Sequence, residues 1–284
     1  MNYKQKLVTS SNVTGNLLCF GIDPVPEALP EELTVVEFFE SLLDEGKKRD
    51  LLPSAFKLNF AHFLALNDYE NLKPYGFNCL SSLIRILRQE FKEIPIIIDA
   101  KVGDIPRTTS NYARIFFSDL GIDAITLSPY LGSDVLIPFQ KYLHSTKGGY
   151  LLVYTTNPSA KELQQLNVNG KPLYLYVAQL LSRISKTGQC VGAVLSALEQ
   201  DVIIKVASQN SDIPLLIPGV GTQGGEPKEV INSLVNADYQ LCLARLNCSS
   251  YLTHPWYKNR QKPGRNWLEK CIGNLEEMIN QTRI

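Results

Sequence analysis

The chain has 284 residues, 44% of them hydrophobic, and Lys+Arg equals Asp+Glu at 28 each. That supplies one barrel-sized core or two smaller ones, and the even charge balance creates no overall field to recruit nucleic acid or an acidic membrane. Any anionic ligand must be held by a local site.

Six cysteines, at 19, 79, 190, 242, 248 and 271, form no C-x-x-C pair and have no His cluster nearby. They read as buried thiols of a reducing compartment, not as metal ligands or a disulfide framework. Residues 1–16 are polar and lack the charged-then-apolar order of a secretory signal, and no apolar run nears the roughly 20 residues of a membrane span. The expectation is a soluble cytoplasmic protein, with the Asn-x-Ser/Thr triplets at Asn12, Asn247 and Asn280 as chance matches.

Short apolar runs recur along the chain at 17–22, 55–60, 95–99, 123–128, 149–154, 190–195, 213–217 and 239–245. Stretches with helical periodicity alternate with them, at 32–49, 77–92, 108–119, 133–144, 172–187, 197–209, 227–236 and 266–281. In 32–49, for example, Leu33, Val36, Phe39, Leu42 and Leu43 recur every three or four residues, giving one apolar stripe. Eight alternations predict a closed parallel (β/α)8 barrel, one domain over residues 1–284. An open doubly wound sheet is the alternative, but its G-x-G-x-x-G turn after the first strand is missing. Two stretches break the rhythm: 157–171, a polar excursion long enough for a lid or ordered loop, and 250–265, irregular surface around His254, Pro255, Trp256, Pro263 and Gly264.

Barrels carry their chemistry at the C-terminal strand ends. The third strand is a run of isoleucines that ends in Asp99, Lys101 and Asp104. Alternation puts Asp99 and Lys101 on one face, about 6.6 Å apart along the strand, and Gly103 lets the chain turn so that Asp104 arrives on a loop. A solvated strand end with a surface ion pair is the plainer alternative. Lys57 lies inside an apolar strand, so its ammonium must find a carboxylate, with Asp99 or Asp104 the natural partner, or leave the barrel axis for solvent. Asp23 ends the first strand, where Asp-Pro can simply open a turn. Asn59 ends the second strand and Thr155-Thr156-Asn157 the fifth. Pro218 through Gly225 clusters four glycines after the seventh strand, the best candidate for a phosphate site. Arg245, ending the eighth, would add a bidentate contact to that phosphate or make an ordinary surface ion pair. His62, His144 and His254 fit no triad and read as structural or surface residues.

Asp99-Ala100-Lys101-Val102-Gly103-Asp104-Ile105 resembles the D-x-K-x-x-D-I signature of orotidine 5′-monophosphate decarboxylases, and Pro218 through Gly225 resembles their P-G-[IV]-G-x-Q-G-G phosphate loop. Gly21 to Pro24, Phe56 to Phe60, Thr126 to Gly132 and Thr155 to Pro158 are similar to further stretches, in family order over nearly the whole chain. The longer fifth loop and Ser128-Pro129-Tyr130-Leu131-Gly132 are similar to the longer bacterial type.

The resemblance implies metal- and cofactor-free decarboxylation of orotidine 5′-monophosphate to UMP in pyrimidine synthesis. It implies a charged network of Lys57, Asp99, Lys101 and Asp104, in which Lys101 stabilises and protonates the carbanion. It implies a homodimer, with Asp104, Ile105 and Thr108 given to the neighbour's site. Asp23 and Asn59 would contact ribose hydroxyls, Thr156 the pyrimidine with Pro218 nearby, and Gln223, Gly224 and Gly225 the phosphate. The family's phosphate-binding Arg follows the eighth strand. Aligning Asn247-Cys248-Ser249 with the stretch before it puts Ser250 at that position; an earlier strand end puts Arg245 there, and Arg245 is preferred because a dianion without Arg would bind weakly. Val102 also departs from the pattern, since this type more often has Arg there. A magnesium-dependent sugar-phosphate decarboxylase or aldolase of the same suprafamily is a second reading. A degenerate nucleotide-binding barrel is a third, though a binding module has no evident use for so costly a charge cluster.

Overall fold

A computed structural model describes residues 1–284. Eight parallel strands form a closed barrel: β1 (Leu18–Ile22), β2 (Ala55–Asn59), β3 (Ile96–Val102), β4 (Ala124–Leu127), β5 (Gly148–Tyr154), β6 (Val191–Leu195), β7 (Leu215–Pro218) and β8 (Ala244–Cys248). β1 closes it by pairing with both β2 and β8. The strands are buried on both faces, as their continuous apolar runs require.

The helices of the rhythm follow the strands. Val35–Lys48 starts at a capping box: Thr34 Oγ1 accepts from the Glu37 amide, and Glu37 Oε2 accepts from the Thr34 amide at 2.8 Å. It buries Val35, Phe38, Phe39, Leu42 and Leu43 against the barrel, roughly 1.5–3 kcal/mol for each large side chain. The stretch expected at 133–144 instead begins as a 3-10 helix, Ser133–Phe139, because Pro138 has no amide to donate, and becomes α-helical only at Gln140–Leu143.

The structure adds detail to the sequence reading at the N-terminus and within the two irregular stretches, and corrects it at Arg245. A helix, α1 (Tyr3–Thr14), occupies the polar N-terminal stretch and closes the floor of the barrel. Its buried face is Tyr3, Leu7, Ser10 and Ser11; both serines donate to the Leu7 carbonyl, so half of the inward stripe is polar and the periodic signal is lost. Tyr3 shares a 2.9 Å hydrogen bond with Tyr150, and its ring lies where a Cβ at residue 148 would be, which only Gly148 permits. Residues 157–171 are ordered into a short helix, Ala160–Gln164, and a two-stranded hairpin. Within 250–265, Ser250–Thr253 is helical and buried Trp256 donates to the Ala28 carbonyl at 2.8 Å.

The correction concerns Arg245. The eighth strand begins at Ala244, not near 239, so Arg245 lies at the floor end, beside Leu216, while Asn247 stands beside Pro218. Arg245 is fully buried, and its guanidinium donates to the carbonyls of Leu7, Cys242, Ala244 and Ser54 and to Ser10 Oγ, at 2.6–3.1 Å. All five donors are used, two of them on α1, so Arg245 cannot contact a phosphate at the opposite mouth.

Candidate active site

At the C-terminal mouth, a cavity of about 380 Å³ opens between the strand ends. Asp23, Lys57, Asn59, Asp99, Lys101, Thr156, Pro218 and Gln223 all line it. Its size suits a nucleotide-sized ligand.

A chain of alternating charge crosses the cavity wall. Lys57 is 3% exposed; its Nζ lies 3.5 Å from Asp23 and 3.4 Å from Asp99. Asp99 Oδ1 in turn meets Lys101 Nζ at 2.7 Å. Register explains the convergence, since Gly21 on β1 pairs with Lys57 and Asn59 on β2 pairs with Asp99. Burial penalises the Asp99 carboxylate, but the ammonium groups of Lys57 and Lys101, with hydrogen bonds from Lys101 and Thr126, outweigh it and hold the carboxyl down at about 2. Burial likewise works against the Lys57 ammonium, yet Asp23 and Asp99 reverse this and push its pKa up. Both groups stay charged at neutral pH.

Thr126, on β4, shapes this corner, and the sequence marks it only as the first residue of the Thr126 to Gly132 stretch. Its Oγ1 accepts from the amides of Ala100 and Lys101, at 3.1 and 2.9 Å, and donates to Asp99 Oδ1 at 2.8 Å. The threonine takes the place of ladder partners where the β3–β4 register shifts between Ile98 and Val102. Lys101 consequently adopts a left-handed φ of +49°, rare for a side chain with a Cβ. β3 is therefore bulged rather than evenly alternating, and the bulge swings Lys101 out over the cavity.

Asp104 does not join the cluster. It lies round the corner, accepts from the Ile105 amide through its own carboxylate, and lines a neighbouring cleft with Lys101 and Tyr112. The partners of Lys57 are Asp23 and Asp99, not Asp104. Ile105 is exposed and Thr108 half-buried, and neither reaches this cavity.

Across the cavity from Lys101, the turn after β7 runs through Gly219, Gly221 and Gly224 at positive φ. The amides of Gly224 and Gly225 are used inside the turn, donating to the Gly221 and Gly219 carbonyls at 2.9 and 3.0 Å. They fix its shape; Val220, Thr222 and Gln223 are the residues after Gly219 that face the cavity. Asn247, Ser249 and Ser250 follow from β8, and Ser250 Oγ donates to Thr222 Oγ1 at 3.0 Å. The Oδ1 of Asn247 is buried without a partner, an acceptor that a donor on a ligand would satisfy. His62 and His254, expected to be structural or surface residues, both line the cavity, whereas His144 is exposed. Burial pushes the His254 imidazole down to about 4.

Residues 30–242 match the sequence profile of the orotidine 5′-phosphate decarboxylase / HUMPS family. The chain belongs to this family. It is 33% identical over 243 residues to an orotidine 5′-phosphate decarboxylase of Ralstonia pickettii, covering 84% of this chain and 85% of that one. A Herpetosiphon aurantiacus protein of the same name is 34% identical over 235 residues, covering 81% and 83%. Among solved structures, the OMP decarboxylase of Leishmania donovani superposes with a TM-score of 0.76 at 27% identity, covering 98% of this chain and 97% of that one. The UMP synthase of the same organism gives 0.79 at 28% identity; there 98% of this chain spans 56% of the larger protein. In this barrel Asp23, Lys57, Asp99 and Lys101 form one connected cluster, opposite a glycine turn.

Proposed function

We propose that this chain decarboxylates orotidine 5′-monophosphate to UMP in pyrimidine synthesis, without a metal or cofactor, as one barrel domain over residues 1–284. The observation that carries the reading is the Lys57–Asp99–Lys101 chain facing the glycine turn across one nucleotide-sized cavity. Phosphate held at the Thr222–Gln223 end would place the pyrimidine against Lys101, with Thr156 and Pro218 beside the ring and Asp23 and Asn59 at the ribose.

In the reaction the bond between ring carbon six and the carboxylate breaks. Carbon dioxide leaves, the electron pair stays on carbon six, and Lys101 donates the proton that replaces the carboxyl group, later recovering one from solvent. An ammonium already fixed beside that carbon needs no reorganisation as negative charge develops. Asp99 would also repel the substrate carboxylate, a repulsion relieved as carbon dioxide departs. This contributes less, because Asp99 is already paired with two ammonium groups. Phosphate contacts remote from carbon six supply binding energy that holds the ring in place.

The same reading makes the working unit a homodimer, with Asp104, Ile105 and Thr108 completing the neighbour's site. The exposure of Ile105, Tyr130, Leu131 and Ile137 on that side supports it. A cytoplasmic location accords with six free cysteines, five of them buried. No helix is long and apolar enough to cross a membrane.

Purified protein mixed with orotidine 5′-monophosphate should deplete substrate absorbance at an undiminished rate in excess chelator. No depletion would refute the reading. Depletion that a chelator abolishes and magnesium restores would favour the metal-dependent alternative.

A further inference from the structure

Orotidine 5′-monophosphate brings a phosphate dianion and a carboxylate to a cavity with no surplus cation. Lys57 and Lys101 are matched there by Asp23 and Asp99, and no arginine lines the wall. His254, on the phosphate side, is buried and resists protonation. The Ser250–Thr222 hydrogen bond that closes the glycine turn is neutral. A dianion resting on neutral donors alone would be held weakly.

Beyond that hydrogen bond, the turn borders a second cleft, of about 420 Å³, which shares Thr222, Ser250 and His254 with the first. The cleft contains one full cation, Lys258, and no acidic residue. Lys258 lies on the turn Tyr257–Asn259, just after Trp256, whose buried indole is tied to Ala28. The backbone that carries the lysine is thus fixed beside the glycine turn, while its four-carbon stem is free to swing.

We propose that Lys258, reaching over the Thr222–Ser250 edge, supplies the counter-charge for the substrate phosphate. The inference rests on the decarboxylase reading and deepens it. It makes Lys258 a binding residue remote from the bond that breaks.

The test uses the full chain and its Lys258→Ala and Lys258→Arg variants, titrated calorimetrically with UMP and with uridine, alongside steady-state decarboxylation. Lys258→Ala should weaken UMP binding about tenfold and raise KM to match, with kcat within about threefold. Uridine, which has no phosphate, should bind all three proteins alike, and Lys258→Arg should stay within about threefold of the unaltered chain for UMP. UMP affinity within twofold of the unaltered chain in Lys258→Ala would overturn the proposal, as would an equal loss for uridine, which would mark a structural role. Failure of the unaltered chain to consume substrate would sink the decarboxylase reading instead, and the UMP-to-uridine comparison would still report on Lys258.

Discussion

Replacing Lys57 with methionine keeps most of the stem's volume and deletes its ammonium, which isolates the charge cluster from simple packing. Lys57 is 3% exposed and faces two carboxylates at 3.4 and 3.5 Å. Removing one member of a buried ion cluster costs about 3–5 kcal/mol. Asp99 keeps Lys101 and Thr126 as partners, so the lower end, about 3 kcal/mol, is expected. Over 284 residues the unfolding entropy is about 0.6 kcal/mol per kelvin, which converts that loss into a Tm about 5 °C lower. The Asp99 carboxyl should rise from about 2 toward the ordinary carboxylate range, near 3.9. With Asp23 left without its ion-pair partner and Asp99 held from one side only, kcat should fall about a hundredfold. Thermal unfolding followed by circular dichroism at pH 7, paired with the absorbance assay, reads both quantities. A Tm within 1 °C and a kcat within threefold of the unaltered chain would refute the cluster's role, and a lower Tm with intact turnover would reduce it to a structural one.

Two further outcomes follow from the same geometry. Gln223→Ala should raise KM about tenfold and leave kcat within about threefold, since the proposed phosphate contact would be made equally in ground and transition states; an unchanged KM contradicts that proposal. His254, depressed to about 4 by burial, resists a proton that the unfolded chain accepts near 6.5. Stability should therefore fall as pH drops from about 6.5 to about 4, by about 2 kcal/mol at pH 5 relative to pH 7, and His254→Gln should flatten that slope. Denaturant melts of both proteins at the two pH values check this, and equal slopes would count against it.

The barrel is legible in the sequence because each strand is a doubly buried apolar run and each major helix an amphipathic stripe, so the two periods alternate cleanly. Lys57, Asp99 and Lys101 are legible because charge inside such runs must find partners. α1 escaped notice because Ser10 and Ser11 sit on its buried face. Arg245 is hard to place from sequence, because a shift of a few residues in the boundary of a short strand exchanges mouth for floor. Thr126, Asn247 and His254 are ordinary residues until the register brings them to the mouth. The positive φ of Lys101 has no mark in the residue itself, since it arises where the β3–β4 register shifts and Thr126 accepts from the Lys101 amide.

In the proposed reaction the Lys101 ammonium meets the electron pair left on ring carbon six. The most direct measurement is the kcat of Lys101→Ala set beside its UMP affinity. Losing both charge stabilisation and the proton donor should lower kcat by at least about a thousandfold, with UMP binding within a few-fold of the unaltered chain. Turnover within tenfold of the unaltered chain would contradict that role for Lys101.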